Sequence, residues 1–278
     1  MRTPKLSIIT WDGGFRESFH LVDFVLSQEV DSAEFEFIWS DYYGKFSPEL
    51  KAKLASATNC HTNSVDGHGQ WHVGQILNSG AQAAKSDLLL FLDGDVAFSP
   101  TFITELIETY KQMPTDLAVY FLRYDELKAS HTDKSKQDIA YLQQVCQLFN
   151  PENCGAGLLI TRALFEQVCG YETHSIFEGP GWIHKDMYTR LINSGAAVKW
   201  EPTQYLYHPW HPGTLPTPFT YKQQAQSHVL QARRLQRSKL ASDVEVTSLL
   251  ESFSPPKRMQ FLWFRRQLRA SIRRRFRG

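Results

Sequence analysis

The 278-residue chain predicts an α/β fold, a mostly parallel central sheet with helices on both faces, ending in a basic amphipathic helix. Three observations carry this reading. Short apolar runs rich in β-forming residues alternate with segments of helical period. Hydrophobic residues make up 42% of the chain and aromatics 13%, enough for a large core and too many for a disordered, collagen-like or coiled-coil protein. Residues 257–278, finally, carry nine basic side chains and no acidic one. Nine of the 30 Lys and Arg therefore lie in the tail, leaving 21 against 29 acidic residues in 1–256, a net of −8 beneath an overall +1.

The elements follow in order. Leu6–Thr10 reads as a first buried strand, too short for a signal-peptide core and running at once into Trp11-Asp12-Gly13-Gly14. Further strands are predicted at Phe35–Ser40, Leu88–Leu92, Leu117–Leu122, Gly157–Ile160 and Ala197–Trp200. Helices are predicted over Phe15–Gln28, Pro48–Ala57, His72–Lys85, Pro100–Gln112, Lys134–Phe149, Arg162–Val168 and Lys185–Asn193. Tyr221–Leu240, polar and rich in Gln, reads as a solvent-exposed helix between core and tail. The implied organisation is a core domain over 1–215 (halves 5–115 and 116–215), a helical linker over 216–256 and the tail. No run approaches the ~20 apolar residues of a spanning helix. The four cysteines form no CxxC pair, which fits reduced thiols in the cytoplasm and no metal site built on them.

Ligands of parallel sheets bind at the carboxyl ends of the strands, and here those ends carry Asp12, Asp41, Asp93 to Asp95 and the histidines after Tyr207. Asp93 and Asp95 at the mouth of an apolar strand repel each other unless a cation or donors intervene. Gly94 lets the backbone turn so that both side chains converge. Hard oxygen ligands suit Mg2+ or Mn2+, ions that bring a phosphate-bearing substrate with them. A plain Asp-Gly turn is the alternative.

Asn78-Ser79-Gly80 through Asp87, then Leu88–Leu92 and Asp93-Gly94-Asp95, resembles the nucleotide-sugar half of a family-two glycosyltransferase with the GT-A fold. Leu6–Asp12 fits that family's first strand and base-cradling loop. Asn153 through Tyr171, with Thr161-Arg162-Ala163-Leu164-Phe165, resembles its acceptor half. The resemblance implies a nucleotide-diphosphate sugar donor, a glycan or lipid-linked acceptor and Mn2+ or Mg2+. It implies that Asp95 ligands the metal and that Asp93 touches ribose or metal. Asp12 and Asp41 would read base and ribose, with a strand-end turn the alternative for Asp41. Trp11 would stack near the base or else lie in the core, and Asn78 would belong to the donor-binding helix.

Relatives carry an acidic pair in the catalytic helix, whereas Gly181-Trp182-Ile183-His184-Lys185-Asp186 departs from that pattern. Anchoring on Arg190-Leu191 puts Ile183 and His184 at the acidic pair and Asp186 at the later carboxylate. Asp186 is then the first choice for general base, His184 the second and Glu178 the third, with Trp182 beside the sugar. In Tyr205–Gly213 two prolines hold an extended, stiff loop. By resemblance His208 completes the metal shell and His211 donates to the diphosphate. In the tail, Phe261, Phe264, Leu268, Ile272 and Phe276 form one helix face opposite arginines. Such a helix fits an anionic membrane surface, at the inner face for a cytoplasmic protein, better than nucleic acid or docking on the acidic body of its own or another subunit. Two other functions stay open. A nucleotidyltransferase would show a Gly-rich basic loop after the first strand, and Trp11–Arg16 is short and acidic. A degenerate domain that binds glycan or tethers a partner would fit the missing acidic pair.

Overall fold

The computed structural model describes residues 3–179, 181–212, 221–233 and 237–253. The amphipathic tail predicted for 257–278 lies outside the described residues.

Among the described residues seven strands form one sheet: β1 (Leu6–Asp12), β2 (Phe35–Asp41), β3 (Cys60–Ser64), β4 (Leu88–Leu92), β5 (Leu117–Asp125), β6 (Gly157–Thr161) and β7 (Ala197–His208). Their spatial order is β3-β2-β1-β4-β6-β5-β7. Only β6 runs antiparallel, against both β4 and β5. The predicted mostly parallel sheet is therefore present. Helices α1 (His20–Leu26), α2 (Pro48–Leu54), α4 (Phe102–Tyr110) and α5 (Ile139–Val145) bury their apolar residues in the core on one face. Helices α3 (Val73–Ala83), α6 (Arg162–Gln167) and α7 (Ile183–Asn193) do so on the other. Alternation along β4 divides the faces, with Leu88, Leu90 and Leu92 in one core and Leu89 and Phe91 in the other.

Four expectations are corrected. The helix expected from Phe15 begins only at His20, because residues 13–19 form a loop whose turn is closed by Gly14 and Phe15 N–H groups donating to Asp12 Oδ1. The strand β3 was not expected: its Cys-His-Thr-Asn-Ser is polar and lies at the sheet edge, where no apolar alternation is needed. The long helix expected from Lys134 is a 3-10 turn, Asp133–Lys136, then α5, whose N-cap Asp138 accepts from Tyr141 N–H. Strand β7 continues through Tyr205–Tyr207 to His208, so His208 ends a strand and only His211 sits in the following loop. A register shift against Phe121/Leu122 absorbs Pro202.

The stretch read as an exposed linker is the helix α8 (Tyr221–Arg233), which buries Ala225, Gln226, Val229, Leu230 and Arg233 against the core. It is followed by α9 (Asp243–Glu251). Among the described residues no helix is long and apolar enough to cross a membrane.

Candidate active site

The carboxyl ends of β4, β5 and β7 bring Asp95, Asp125, His208 and His211 together. Ala97 pairs with Tyr207 in both backbone directions, which fixes the Asp93–Asp95 turn against the end of β7. His20 supports the turn from below: its Nε2 donates to the Asp95 carbonyl at 2.9 Å while Ser18 Oγ lies 3.0 Å from Nδ1. Burial pushes His20 down to about 4, so it is a neutral strut at neutral pH.

Asp95, His208 and His211 each offer a ligand atom, all within 4.8 Å of one another. His208 Nε2 lies 3.5 Å from Asp95 Oδ1 and His211 Nε2 lies 3.4 Å from Oδ2. Asp95 Oδ1 is buried and makes no hydrogen bond with any described residue. A buried carboxylate with one oxygen lacking a donor and an imidazole facing each oxygen fits a divalent cation. Burial alone would raise the Asp95 carboxyl; Arg16, His208 and His211 outweigh it and hold it well below the usual carboxylate value. Burial lowers His208, but the Asp125 carboxylate at 3.0 Å and the nearby negative charge of Asp95 bring it up to about 9. Asp95 likewise raises His211.

Asp93 stands apart from this triad. Its Oδ1 accepts from Arg16 Nη2 at 2.7 Å, and Arg123 Nη1 lies 3.8 Å from its Oδ2. Arg16, on the loop after β1, also donates from Nη1 to Asp95 Oδ2 at 2.7 Å. Sequence reasoning did not find Arg16 as a site residue; one arginine in an irregular loop has no spacing that ties it to a carboxylate 79 residues later.

The donor-side expectations divide. Asp12 and Asp41 line one cavity of about 300 Å3 with Trp39, Lys45 and Phe46. Both use Oδ1 on backbone, Asp12 as above and Asp41 on the N–H groups of Tyr43 and Lys45, so each is also the turn residue of its strand end. Trp11 is a core residue, packed against Phe15 and Trp71. Asn78 is corrected too: its amide donates to the Tyr171 carbonyl at 2.9 Å and its Oδ1 accepts from Tyr171 N–H at 2.8 Å. Both polar ends clasp the Tyr171 backbone, so Asn78 ties α3 to the segment that follows α6. Trp182, at the N-terminus of α7, is 39% exposed.

Asp186, the first choice for general base, is held in a buried ion-pair group. Its carboxylate is 1% exposed and accepts from Arg190 Nε at 2.7 Å and from Arg233 Nη1 at 3.0 Å. Two arginines on one buried carboxylate make an anchor, not a base open to a hydroxyl. His184, one helical face away, points instead into a small space lined by Trp11, Cys154, Gly155 and Tyr171. Burial pushes it down to about 4, with Asp93 pulling weakly the other way. It is neutral at pH 7, able to hydrogen-bond but a weak proton acceptor. Glu178, half-buried ahead of α7, lies close enough to raise Tyr42.

Solved structures share this architecture. The mannosyltransferase PcManGT from Pyrobaculum calidifontis, in complex with GDP-Man and Mn2+, is 12% identical at a TM-score of 0.52, over 91% of this chain and 66% of that one. S. aureus TarS 1-349, in complex with UDP, is 12% identical at 0.59, over 88% and 69%. GalNAc-T7 with UDP, GalNAc and Mn2+ is 12% identical at 0.58, over 82% of this chain and 48% of that one. The chain thus spans just under two thirds of the first structure and about half of the last. These are GT-A glycosyltransferases, and the fold of this chain is GT-A.

The family model described as Glycosyl transferase family 2 matches residues 61–169, from within β3 to just past α6. Over that segment, less than half of its length, the chain is similar to family-two glycosyltransferases. A search of curated proteins by sequence found no match.

Proposed function

We propose that this protein transfers a sugar from a nucleotide-diphosphate sugar to a hydroxyl acceptor, a glycan or lipid-linked glycan, with a divalent cation held by Asp95, His208 and His211. The observation that carries the reading is the buried Asp95 carboxylate at the carboxyl rim of the sheet, with His208 beside its undonated Oδ1 and His211 beside its Oδ2. When bound, the cation would supply charge neutralisation to the departing diphosphate. Two imidazoles and one carboxylate favour Mn2+ over Mg2+. Asp12 and Asp41 flank the cavity for the nucleoside, and Lys45 lines it with them. Neutral His184 hydrogen-bonds the acceptor and Trp182 offers it an apolar face. With Asp186 engaged by two arginines, Glu178 becomes the first candidate to take the acceptor proton. The basic tail adds attraction to an anionic membrane surface, where a lipid-linked acceptor would lie.

A panel of nucleotide sugars with Mn2+, scored by thermal shift and by donor hydrolysis, tests this directly. A stabilising, hydrolysed donor is the expected result. Stabilisation by nucleoside triphosphates, with pyrophosphate release and no effect of nucleotide sugars, would favour a nucleotidyltransferase.

A further inference from the structure

Arg16 is held at several points between the loop after β1 and the Asp93–Asp95 turn. Besides its two carboxylate contacts it donates from Nε to the Trp11 carbonyl at 3.1 Å. Its side chain is 5% exposed and its guanidinium lies 5.1 Å from the centre of the Trp11 ring. Gly94 provides the seat: a Cβ there would come within 2.5 Å of Arg16 Nε and 2.7 Å of Cζ. The glycine between the two carboxylates thus makes room for the guanidinium, an observation independent of the ion pairs. Beside Arg16 opens a cavity of about 120 Å3, also bordered by Lys136, Asp95 and His211. Two cationic side chains therefore face a space next to the carboxylates.

We propose that Arg16 makes divalent-metal binding conditional on a diphosphate, neutralising Asp93 and Asp95 until the phosphates of a nucleoside diphosphate take over its charge. This rests on the metal-centre reading above. A divalent ion on Asp95 faces the guanidinium across the same carboxylate, and the repulsion lowers its affinity. Phosphate oxygens reverse that sign. They accept the same planar fork of N–H donors that the carboxylates now accept, and they add hard ligands to the ion. Metal and diphosphate then bind cooperatively, each relieving the cost of the other.

The test is Mn2+ affinity, read by calorimetry and by the loss of the free-ion electron paramagnetic signal, for the full chain with and without UDP or GDP. For the wild type we expect the diphosphate to tighten Mn2+ at least about tenfold. Arg16→Gln should bind Mn2+ at least about tenfold more tightly than wild type without nucleotide and lose most of the enhancement. Arg16→Lys keeps the charge and should stay within about threefold of wild type without nucleotide. Absence of any diphosphate enhancement in the wild type overturns the proposal even if Arg16→Gln does not fold. Equal Mn2+ affinity in wild type and Arg16→Gln overturns it while leaving the metal centre standing. If neither binds Mn2+ under any condition, the metal-centre reading falls and the proposal with it.

Discussion

Asp186 and Arg233 meet at 3.0 Å in the interior although 47 residues separate them. Arg233 reaches Glu172 at the same distance, and Arg190 completes a buried group of two acids and two bases. This group joins α8 to α7 and holds the Asp186 carboxylate between two guanidinium groups.

Removing Asp186 should therefore act on stability. Asp186→Ala leaves two buried guanidinium groups short of a partner and should cost about 3–5 kcal/mol in urea unfolding. Turnover corrected for the folded fraction should hardly change. A stable Asp186→Ala protein with turnover lost would restore the catalytic assignment.

The metal triad predicts a common loss. Asp95→Ala, His208→Ala and His211→Ala should each weaken Mn2+ in the presence of UDP or GDP by at least about tenfold, or ~1.4 kcal/mol. His211→Ala with unchanged Mn2+ affinity would leave that residue only its expected contact with the diphosphate.

His184 carries a pH signature. Its folded value, about 4, lies below the ordinary histidine value of 6.5, so the unfolded chain binds more protons between the two. The stability it contributes is fully present above pH 6.5 and is lost as pH falls toward 4, with a slope of at most about 1.4 kcal/mol per pH unit. The melting temperature of His184→Gln should fall less steeply over that window than that of the wild type. Parallel curves would show the ring to be open to solvent.

Asn78→Ala breaks two hydrogen bonds to Tyr171 and should lower stability by about 1–3 kcal/mol, while nucleotide affinity measured by calorimetry stays at the wild-type value. A specific loss of nucleotide affinity would return Asn78 to the donor site.

Deleting 257–278 should release the protein from anionic liposomes at low salt, since each basic residue near such a surface contributes ~1 kcal/mol. Flotation at two salt concentrations, beside a melting curve, checks this. Persistent flotation of the truncated chain would overturn it.

How far the sequence alone revealed these features depends on the range of the physics involved. Leu88–Leu92 ending in Asp93-Gly94-Asp95 is a local pattern, and the strand and its place at the rim follow from it. His208 and His211 were legible for the same reason, since both lie within a few residues of the end of β7. Arg16, Arg233 and Gln226 were not, because each gains its meaning from partners 44 to 79 residues away. Asn78 and Asp186 show the converse case. Their residue types invite a chemical role, and only the fold reveals that backbone or arginine already occupies them.

The Gln226 side chain has a consequence for exchanging parts between proteins. Fully buried, it accepts from Trp182 N–H at 3.4 Å and donates to the Ile176 carbonyl at 2.7 Å, and a Cβ on Gly181 would collide with its Oε1. The segment that presents Trp182 and His184 is therefore moulded from behind by a helix that follows it in the chain. A chimera that swaps 170–193 for a homologous stretch would lose its template unless 221–233 travels with it. The unit of inheritance for the shape of this segment is a discontinuous pair of stretches, and recombination libraries cut between them should yield mostly misfolded 170–193 segments.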